Sequence, residues 1–203
     1  MRPLPRSFYA RDARTVARAL VGRVLVSDLA STRIVARIVE VEAYRGGRDP
    51  ASHAYRGRTR RNAVMFGAPG HAYVYFTYGM HHCVNVVCER EGVAGAVLLR
   101  ALEPLAGLAL LRRRRHVAEP ARLLRGPGCV AQGLGLSREH DGLDLVSGAL
   151  WIADAPPERG GARLARGPRI GIRLARERPW RYWLAGNECV SGPPGARRAP
   201  EAR

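Results

Sequence analysis

The sequence contains no lysine, so all 34 of its basic residues are arginines. This absence excludes enzymes that form a Schiff base through a lysine side chain, and it excludes phosphate loops of the Walker type. Acidic residues number only 17, which leaves a formal net charge of +17, whereas a small domain usually carries ~2–8. The excess indicates a polyanionic partner, with nucleic acid first and an anionic membrane surface second. Surface arginines that only keep the chain in solution are the alternative.

Cysteine pairs of the C-x-x-C type are also absent, so no zinc-ribbon pattern is present. The first 21 residues are interrupted by five arginines and contain no apolar core of a secretory signal. We therefore expect a cytoplasmic, nucleoid-associated protein with reduced thiols. The longest stretch without a formal charge, residues 62–88, is too rich in polar groups for a membrane span, and no membrane partner is expected.

Hydrophobic periodicity predicts an α+β chain with strands in hairpins rather than in βαβ units. We expect one domain over residues 1–190 and a mobile, basic, Pro/Gly-rich tail over residues 191–203. Asp12 can cap the first helix. Helices are expected at residues 12–21, 104–116 and 129–134, and strands at residues 23–27, 33–44, 72–78, 84–88, 94–102, 143–152 and 169–174.

The long strand expected at residues 33–44 carries two carboxylates near its end. Strict alternation places Glu40 and Glu42 on one face together with Ile38 and Tyr44. The arginine-rich loop that follows can bring His53 back over the strand end. A carboxylate, an aromatic ring and an imidazole can hold a flat base and activate water beside it. On spacing alone, a surface glutamate, a half-buried tyrosine and a solvated histidine are the simpler interpretation.

A tyrosine-rich segment, YVYFTYGM, forms the second constellation. Tyr73, Tyr75 and Thr77 alternate with the other side chains, so Tyr75 and Tyr78 face opposite sides of a strand. Tyr75 can therefore serve an internal pocket. Tyr78, at a tip before Gly79, can wedge into a base stack. An aromatic-rich core strand is the alternative.

Two further groupings are weaker. The cluster of His81, His82, Cys83 and Cys88 lacks the paired spacing of a zinc site, and no metal is expected. Glu40 and Glu42 are same-face neighbours on a strand and cannot straddle a sugar as a glycosidase pair does. We expect Glu40 to have a structural or supporting role.

Taken together, the motifs VEVEAY, SHAYRGRT with RN and MF after it, YVYFTYGM and LLRALEP closely resemble the alkyladenine (3-methyladenine) DNA glycosylase family. The resemblance extends from about residue 9 to residue 191. PRIGI and the following PWRYWLAGN resemble the C-terminal strand and helix-turn of the family. Two positions depart from the pattern: Arg60 stands where proline is expected, and His82 where a bulky aromatic residue is commoner.

The resemblance implies a single domain with a curved, mostly antiparallel sheet and flanking helices, similar to the C-terminal domain of methionyl-tRNA formyltransferase. It implies that Glu42 is the general base, that Arg100 helps to place the nucleophilic water, and that the backbone near Ile170 completes the water site. It also assigns the base pocket to Tyr44, His53, Tyr75 and Asn85, and the DNA contacts to Tyr78 and Met80.

By the same resemblance, Asn85 would reject normal guanine through its exocyclic amino group, and Tyr78 would fill the gap that a flipped base leaves. The implied substrate is double-stranded DNA with a damaged purine, the implied protein is a monomer, and no cofactor is implied. Glycosylases that also cut the backbone commonly use an amine nucleophile. Because lysine is absent, we expect a monofunctional enzyme. The alternative is an RNA-binding module without catalysis, which would not need Glu42, Tyr44, His53 and Asn85 together.

Overall fold

The computed structural model describes residues 1–77, 79–153 and 163–192. The strands are β1 (Val24–Ser27), β2 (Ile34–Tyr44), β3 (Ala72–Thr77), β4 (His81–Val87), β5 (Ala96–Ala106), β6 (Leu150–Ala153), β7 (Leu164–Gly167) and β8 (Arg181–Leu184); the helices are α1 (Arg6–Tyr9), α2 (Ala13–Leu20), α3 (Leu108–Arg115) and α4 (Pro127–Leu134). The strands form a curled antiparallel sheet in the order β3-β4-β5-β2-β1-β6, and β8 joins β2 and pairs with β7. The fold is α+β, as the sequence predicts.

The helices cover one face of this sheet. Helix α2 begins at Asp12, whose carboxylate accepts the Arg14 N–H at 3.0 Å, and it buries an apolar stripe against β2 and β5. Helix α4 packs on β4 and β5 and against α3. Side chains of alternate strand residues, such as Val74, Val84 and Leu99, meet these helices in the main core. The opposite face of the same strands is therefore not covered by these helices and can line a cavity.

Strand β2 changes face midway, which corrects the alternation expected from the sequence. Its pairing with β5 slips on both sides of Glu40, as at a β-bulge. Ile38 packs in the main core with Val41 and Ala43 instead of sharing a face with Glu40. A one-residue slip exchanges the faces of all later side chains. The bulge thus keeps the core continuous and turns Glu42 to the face away from the helices.

Local hydrogen bonds overturn the strand expected at residues 143–152. Only Leu150–Ala153 is a strand. Before it, the Asp144 carboxylate accepts the Val146 N–H and the Ser147 hydroxyl, both at 2.9 Å, and the Gly148 N–H bonds the Asp144 carbonyl. Each residue has only one backbone N–H to donate, so an N–H that is bonded within this turn cannot also pair with a neighbouring strand.

Three other expected elements also differ from the structure. Residues 104–106 continue β5, and the helix expected from residue 104 begins only after Gly107, whose φ is 82°. Residues 169–174 form a loop rather than a strand. The helix-turn implied for PWRYWLAGN is instead the β8 strand, which pairs with β2 and β7. No helix in the described stretches is long and apolar enough to cross a membrane.

Candidate active site

A cavity of about 470 Å³ opens on the sheet face that the helices leave uncovered. Alternate residues of β3, β4 and β5 line it, among them Tyr73, Tyr75, Asn85 and Arg100. The loops at residues 50–53 and 170–174 form its side walls. Its size is in the range of small-molecule sites, ~300–1,000 Å³. The expected alternation of the tyrosine-rich strand is confirmed, since Tyr73, Tyr75 and Thr77 all reach the cavity.

Glu42 lies directly behind the cavity wall, with its side chain fully buried. Its Oε1 accepts the Ile170 N–H at 2.7 Å and lies 3.2 Å from Arg100 Nη1. Its Oε2 accepts the Tyr44 hydroxyl at 2.8 Å. These three partners all line the cavity. A carboxylate held by three donors next to an open cavity can act as a general base once one of them moves aside.

Tyr44 stands between this carboxylate and a buried arginine. Burial and then the Glu42 charge raise the pKa of Tyr44 well above its ordinary value, so the hydroxyl stays protonated and donates a hydrogen bond to Glu42. The Arg169 guanidinium lies 4.6 Å from the centre of the Tyr44 ring. A cation at that distance from a ring face attracts its π electrons. The ring is therefore held at both its hydroxyl end and its face.

Arg100 also contacts a second buried carboxylate. Its Nε lies 3.1 Å from Glu40 Oε1, and its Nη2 donates to Ser191 Oγ at 3.2 Å. Burial works to lower the pKa of Arg100, but Glu42 and then Glu40 outweigh it, and the net pKa shift is upward. The guanidinium is therefore charged at every ordinary pH.

His53 forms the aromatic wall with two tyrosines. Its Nδ1 lies 3.0 Å from the Tyr73 hydroxyl, and its ring meets that of Tyr75 edge to face at a centroid distance of 4.5 Å. Burial and the Arg61 cation lower the pKa of His53, which favours the neutral imidazole at neutral pH. Burial raises the pKa of Tyr73 to about 12 and, with Cys83, raises the pKa of Tyr75 further. The wall is uncharged and suits stacking on a flat ring.

The structure brings together all the expected pocket residues. Asn85 is buried beside the cavity, and its amide nitrogen donates to the Tyr73 carbonyl at 3.0 Å, which fixes the plane of the amide. Met80 lies in the turn after β3, 72% exposed. Tyr78, expected in the same turn, lies outside the described residues.

An ion pair that sequence reasoning missed anchors the two side walls. Arg169 and Asp49 are both fully buried and form two bonds, Nη1–Oδ2 at 2.5 Å and Nη2–Oδ1 at 2.8 Å. Arg169 Nη1 also donates to the Ala43 carbonyl at 3.0 Å. Asp49 belongs to the loop that carries His53, and Arg169 precedes Ile170. The only signal in the sequence was an aspartate in a segment predicted as a loop and an arginine at the start of a segment predicted as a strand.

The loop that carries His53 is secured at both ends. Gly46 has a φ of 51°, and a Cβ there would collide with the Ala94 carbonyl oxygen, so the position requires glycine. The Asn62 amide donates to the carbonyls of His53 and Gly57 at 2.9 and 3.0 Å. Between these anchors the chain exposes a basic rim, which consists of Arg56, Arg58, Arg60 and Arg61.

The two positions that depart from the family pattern lie away from Glu42. Arg60 is exposed in the basic rim, and the His82 ring lies 5.1 Å from that of Phe76. Among the residues that the structure describes, no three His, Cys, Asp or Glu side chains are grouped closely enough to hold a metal ion.

Comparison with known proteins agrees with this geometry. The sequence model of the methylpurine-DNA glycosylase family matches residues 7–188. A protein of Burkholderia lata named "Putative 3-methyladenine DNA glycosylase" is 50% identical over 196 residues, which cover 94% of this chain and 91% of that protein. Proteins of the same name from Rhodopseudomonas palustris and Methanoculleus marisnigri are 51% and 48% identical, with 91% and 98% of their lengths covered. The chain belongs to the methylpurine-DNA glycosylase family.

Proposed function

We propose that this chain is a monofunctional DNA glycosylase of alkylation repair. It flips an alkylated or deaminated purine out of duplex DNA and hydrolyses the N-glycosidic bond with an activated water. One observation carries the proposal: the buried Glu42 carboxylate lies behind a cavity with an uncharged aromatic wall, with Arg100 and the Ile170 N–H on the same carboxylate oxygen. Family membership supports the same reaction.

Glu42 is the proposed general base. It takes the proton of a water whose oxygen forms the new bond to the sugar C1′, while the electrons of the C1′–N bond leave with the base. The sugar becomes oxocarbenium-like in the transition state, and a nearby carboxylate stabilises that charge. Arg100 is proposed to place the water. The water is proposed to take the place of the Tyr44 hydroxyl on Oε2, because Oε1 already meets both the Ile170 N–H and Arg100.

The aromatic cavity selects the leaving base. Alkylation of a ring nitrogen makes a purine cationic, and such a base leaves as a neutral product with little need of acid catalysis. Tyr44, Tyr75 and a neutral His53 can stack on a cationic ring without charge repulsion. Asn85 is proposed to reject guanine by crowding its exocyclic amino group. Hypoxanthine, a neutral lesion, would need a proton donor that the cavity residues do not identify.

The DNA contacts are proposed on the rim of the cavity. The basic rim suits backbone phosphates, and the exposed Met80 suits a contact within the duplex. Tyr78 is proposed to fill the gap in the base stack. We also propose that the protein acts as a monomer, that residues 1–190 form the glycosylase domain, and that the fold is that of the formyltransferase C-terminal domain. Ser191, the first residue of the expected tail, is buried and bonds Glu40 and Arg100, and residues 193–203 of that tail lie outside the described residues.

The absence of lysine supports a single activity. A glycosylase that also cuts the backbone would need an amine on the sugar, and no side chain of this sequence supplies one. The product is therefore an intact abasic site.

The experiment is excision from a duplex that contains one 7-methylguanine or one hypoxanthine. We expect strand scission only after hot alkali, which cuts abasic sites. Scission without alkali would contradict the monofunctional assignment. Absence of scission on every lesion would contradict the enzyme assignment and favour the RNA-binding module as the alternative.

A further inference from the structure

The arginine of the proposed water site is shared between two buried carboxylates. Arg100 Nη1 lies 3.2 Å from Glu42, and Arg100 Nε lies 3.1 Å from Glu40. Both glutamate side chains are fully buried, and Arg100 is 9% exposed. The Glu40 side chain does not line the cavity. Glu40 thus contacts the proposed catalytic groups from behind.

Glu40 is fully engaged by groups other than substrate. Its Oε1 accepts Arg181 Nε at 2.6 Å, and its Oε2 accepts the Ser191 N–H at 2.6 Å. Burial tends to raise the pKa of Glu40, but Arg100, Arg181 and the Ser191 bond outweigh it and keep this pKa below its ordinary value. Glu40 is therefore an anion, but its oxygens are occupied by Arg100, Arg181 and Ser191 and do not line the cavity, so it is not placed to take the proton of the attacking water.

Charge is balanced within this buried group, which we call the glutamate–arginine cluster: Glu40, Glu42, Arg100 and Arg181. Two carboxylates face two guanidinium groups, so the formal charge is zero. A buried cluster with one unpaired charge is strongly destabilised, whereas a balanced one is tolerated. Strand β2 supplies the two carboxylates of the cluster, and β5 and β8 supply one guanidinium group each.

We propose that Glu40 is a positioning residue that divides the charge of Arg100 between two carboxylates, and so keeps Glu42 basic while holding Arg100 at the water site. The inference rests on the proposed role of Glu42. Without Glu40, the Arg100 fork is free to pair with Glu42 through both its nitrogens, the strongest form of this interaction. A carboxylate held in that way is a weaker base, and a weaker base transfers the proton more slowly.

The other charged and titratable groups around Glu42 stay in place when Glu40 changes. Tyr44 donates to Glu42 from β2 itself. Arg169, in the loop that contains Ile170, and Tyr75 of β3 also act on it electrostatically. In the part of the chain that the structure describes, the hydrogen bonds and ion pairs of the Glu40 carboxylate go to Arg100, Arg181 and Ser191. Of these three, Arg100 also meets the Glu42 carboxylate, so a change at Glu40 reaches Glu42 through Arg100.

The test is the pH dependence of single-turnover excision of 7-methylguanine by the Glu40→Gln variant. We expect the acid limb of the profile to move to lower pH by about one unit, because a full neighbouring cation favours the carboxylate form. The plateau rate should fall ~10–100-fold, since misplacement of a catalytic group by about 1 Å costs that much. A Glu40 with only a structural role would lower Tm and leave the acid limb where it is.

A second variant keeps the test valid if Glu40→Gln fails to fold. Glu40→Gln with Arg181→Gln restores the charge balance of the cluster and still removes the competitor for Arg100. It should show the same displaced limb. Glu103→Gln is the matched control, since Glu103 of β5 likewise pairs with an arginine of the neighbouring strand, Arg37 of β2, at 3.5 Å, but away from the cavity lining. It should keep the parent profile.

The outcomes separate the inference from the function on which it rests. An acid limb within about 0.2 pH of the parent in both Glu40 variants overturns the inference. Excision by Glu42→Gln at the parent rate overturns the proposed role of Glu42 instead. If Glu42→Gln is inactive and the Glu40 limb is unmoved, only the inference fails.

Discussion

His53 shows how single residues set the character of the cavity. His53 is exposed at the cavity mouth, and partial burial and the Arg61 cation both lower its pKa, which favours the neutral imidazole at neutral pH. A neutral ring can stack on a cationic purine, whereas a protonated one would repel it. The folded protein therefore resists protonation of His53 more than the unfolded chain does.

This lowered pKa predicts a pH-dependent stability. The contribution of a group whose pKa is lowered by folding is present above the unfolded pKa, about 6.5 for histidine, and is lost as pH falls through the folded value. Below pH 6.5 the parent should lose more Tm than the His53→Gln variant. His116→Asn, at an exposed residue with a φ of 52°, is the control. Equal losses in parent and His53→Gln would contradict the assignment.

Among the elements, β2 explains both what sequence could predict and what it could not. Helix α2, its Asp12 cap and the hairpins were predictable, because they depend on local periodicity and turn residues. The bulge at Glu40 was not, since it depends on pairing with β5. The same holds for residues 169–174, where Ile170 N–H bonds a side chain 128 residues away instead of a neighbouring strand.

The candidate site follows the same division. Glu42, Tyr44, His53, Tyr75, Asn85 and Arg100 were identified through motifs that resemble a family, and the structure brings them around one cavity. Asp49 and Arg169 were not identified, because a buried ion pair between two loops leaves no periodic pattern. Their roles, like those of the other site residues, remain predictions.

The Asp49–Arg169 pair predicts a large stability effect at the level of the loops. Asp49→Asn leaves a buried guanidinium without its anion, which should cost ~3–5 kcal/mol and lower Tm by roughly 6–20 °C. The matched control is Asp28→Asn, since Asp28 also pairs with an arginine, Arg33, at 2.6 Å, but the pair is exposed. That control should change stability by less than about 1 kcal/mol. Equal effects in the two variants would show that the buried pair does not anchor the loops.

At the scale of the whole molecule, the net charge of +17 is the dominant property. Such a charge attracts a nucleic acid whatever its base sequence, because binding releases counterions from the phosphates. The basic rim places part of this charge beside the cavity. In the proposed function, the charge supplies affinity for DNA and the cavity supplies the choice of base.

Binding to undamaged duplex should therefore weaken steeply with salt. Several phosphate contacts give a slope of about −0.9 per contact in a plot of log K against log salt. Arg58→Gln, in the basic rim, should reduce the slope by about one. Arg33→Gln is the control, since Arg33 precedes β2 at the end opposite Tyr44, ~33 Å away along an extended strand. If Arg58→Gln and Arg33→Gln change the slope equally, the basic rim is not part of the DNA interface.

The central claim is that Glu42 activates the attacking water, and the most direct test is single-turnover excision by Glu42→Gln. Glutamine is nearly isosteric and still accepts hydrogen bonds, so the fold and duplex binding should be kept, with a lower Tm because the cluster is left with one unpaired charge. It cannot take the water proton, and loss of a general base costs ~10²–10⁴ in rate, with the loss of cation stabilisation in addition. We predict excision at least about 100-fold slower than the parent at equal DNA affinity. A rate within about threefold of the parent would contradict the account, because an effect that small excludes a general base.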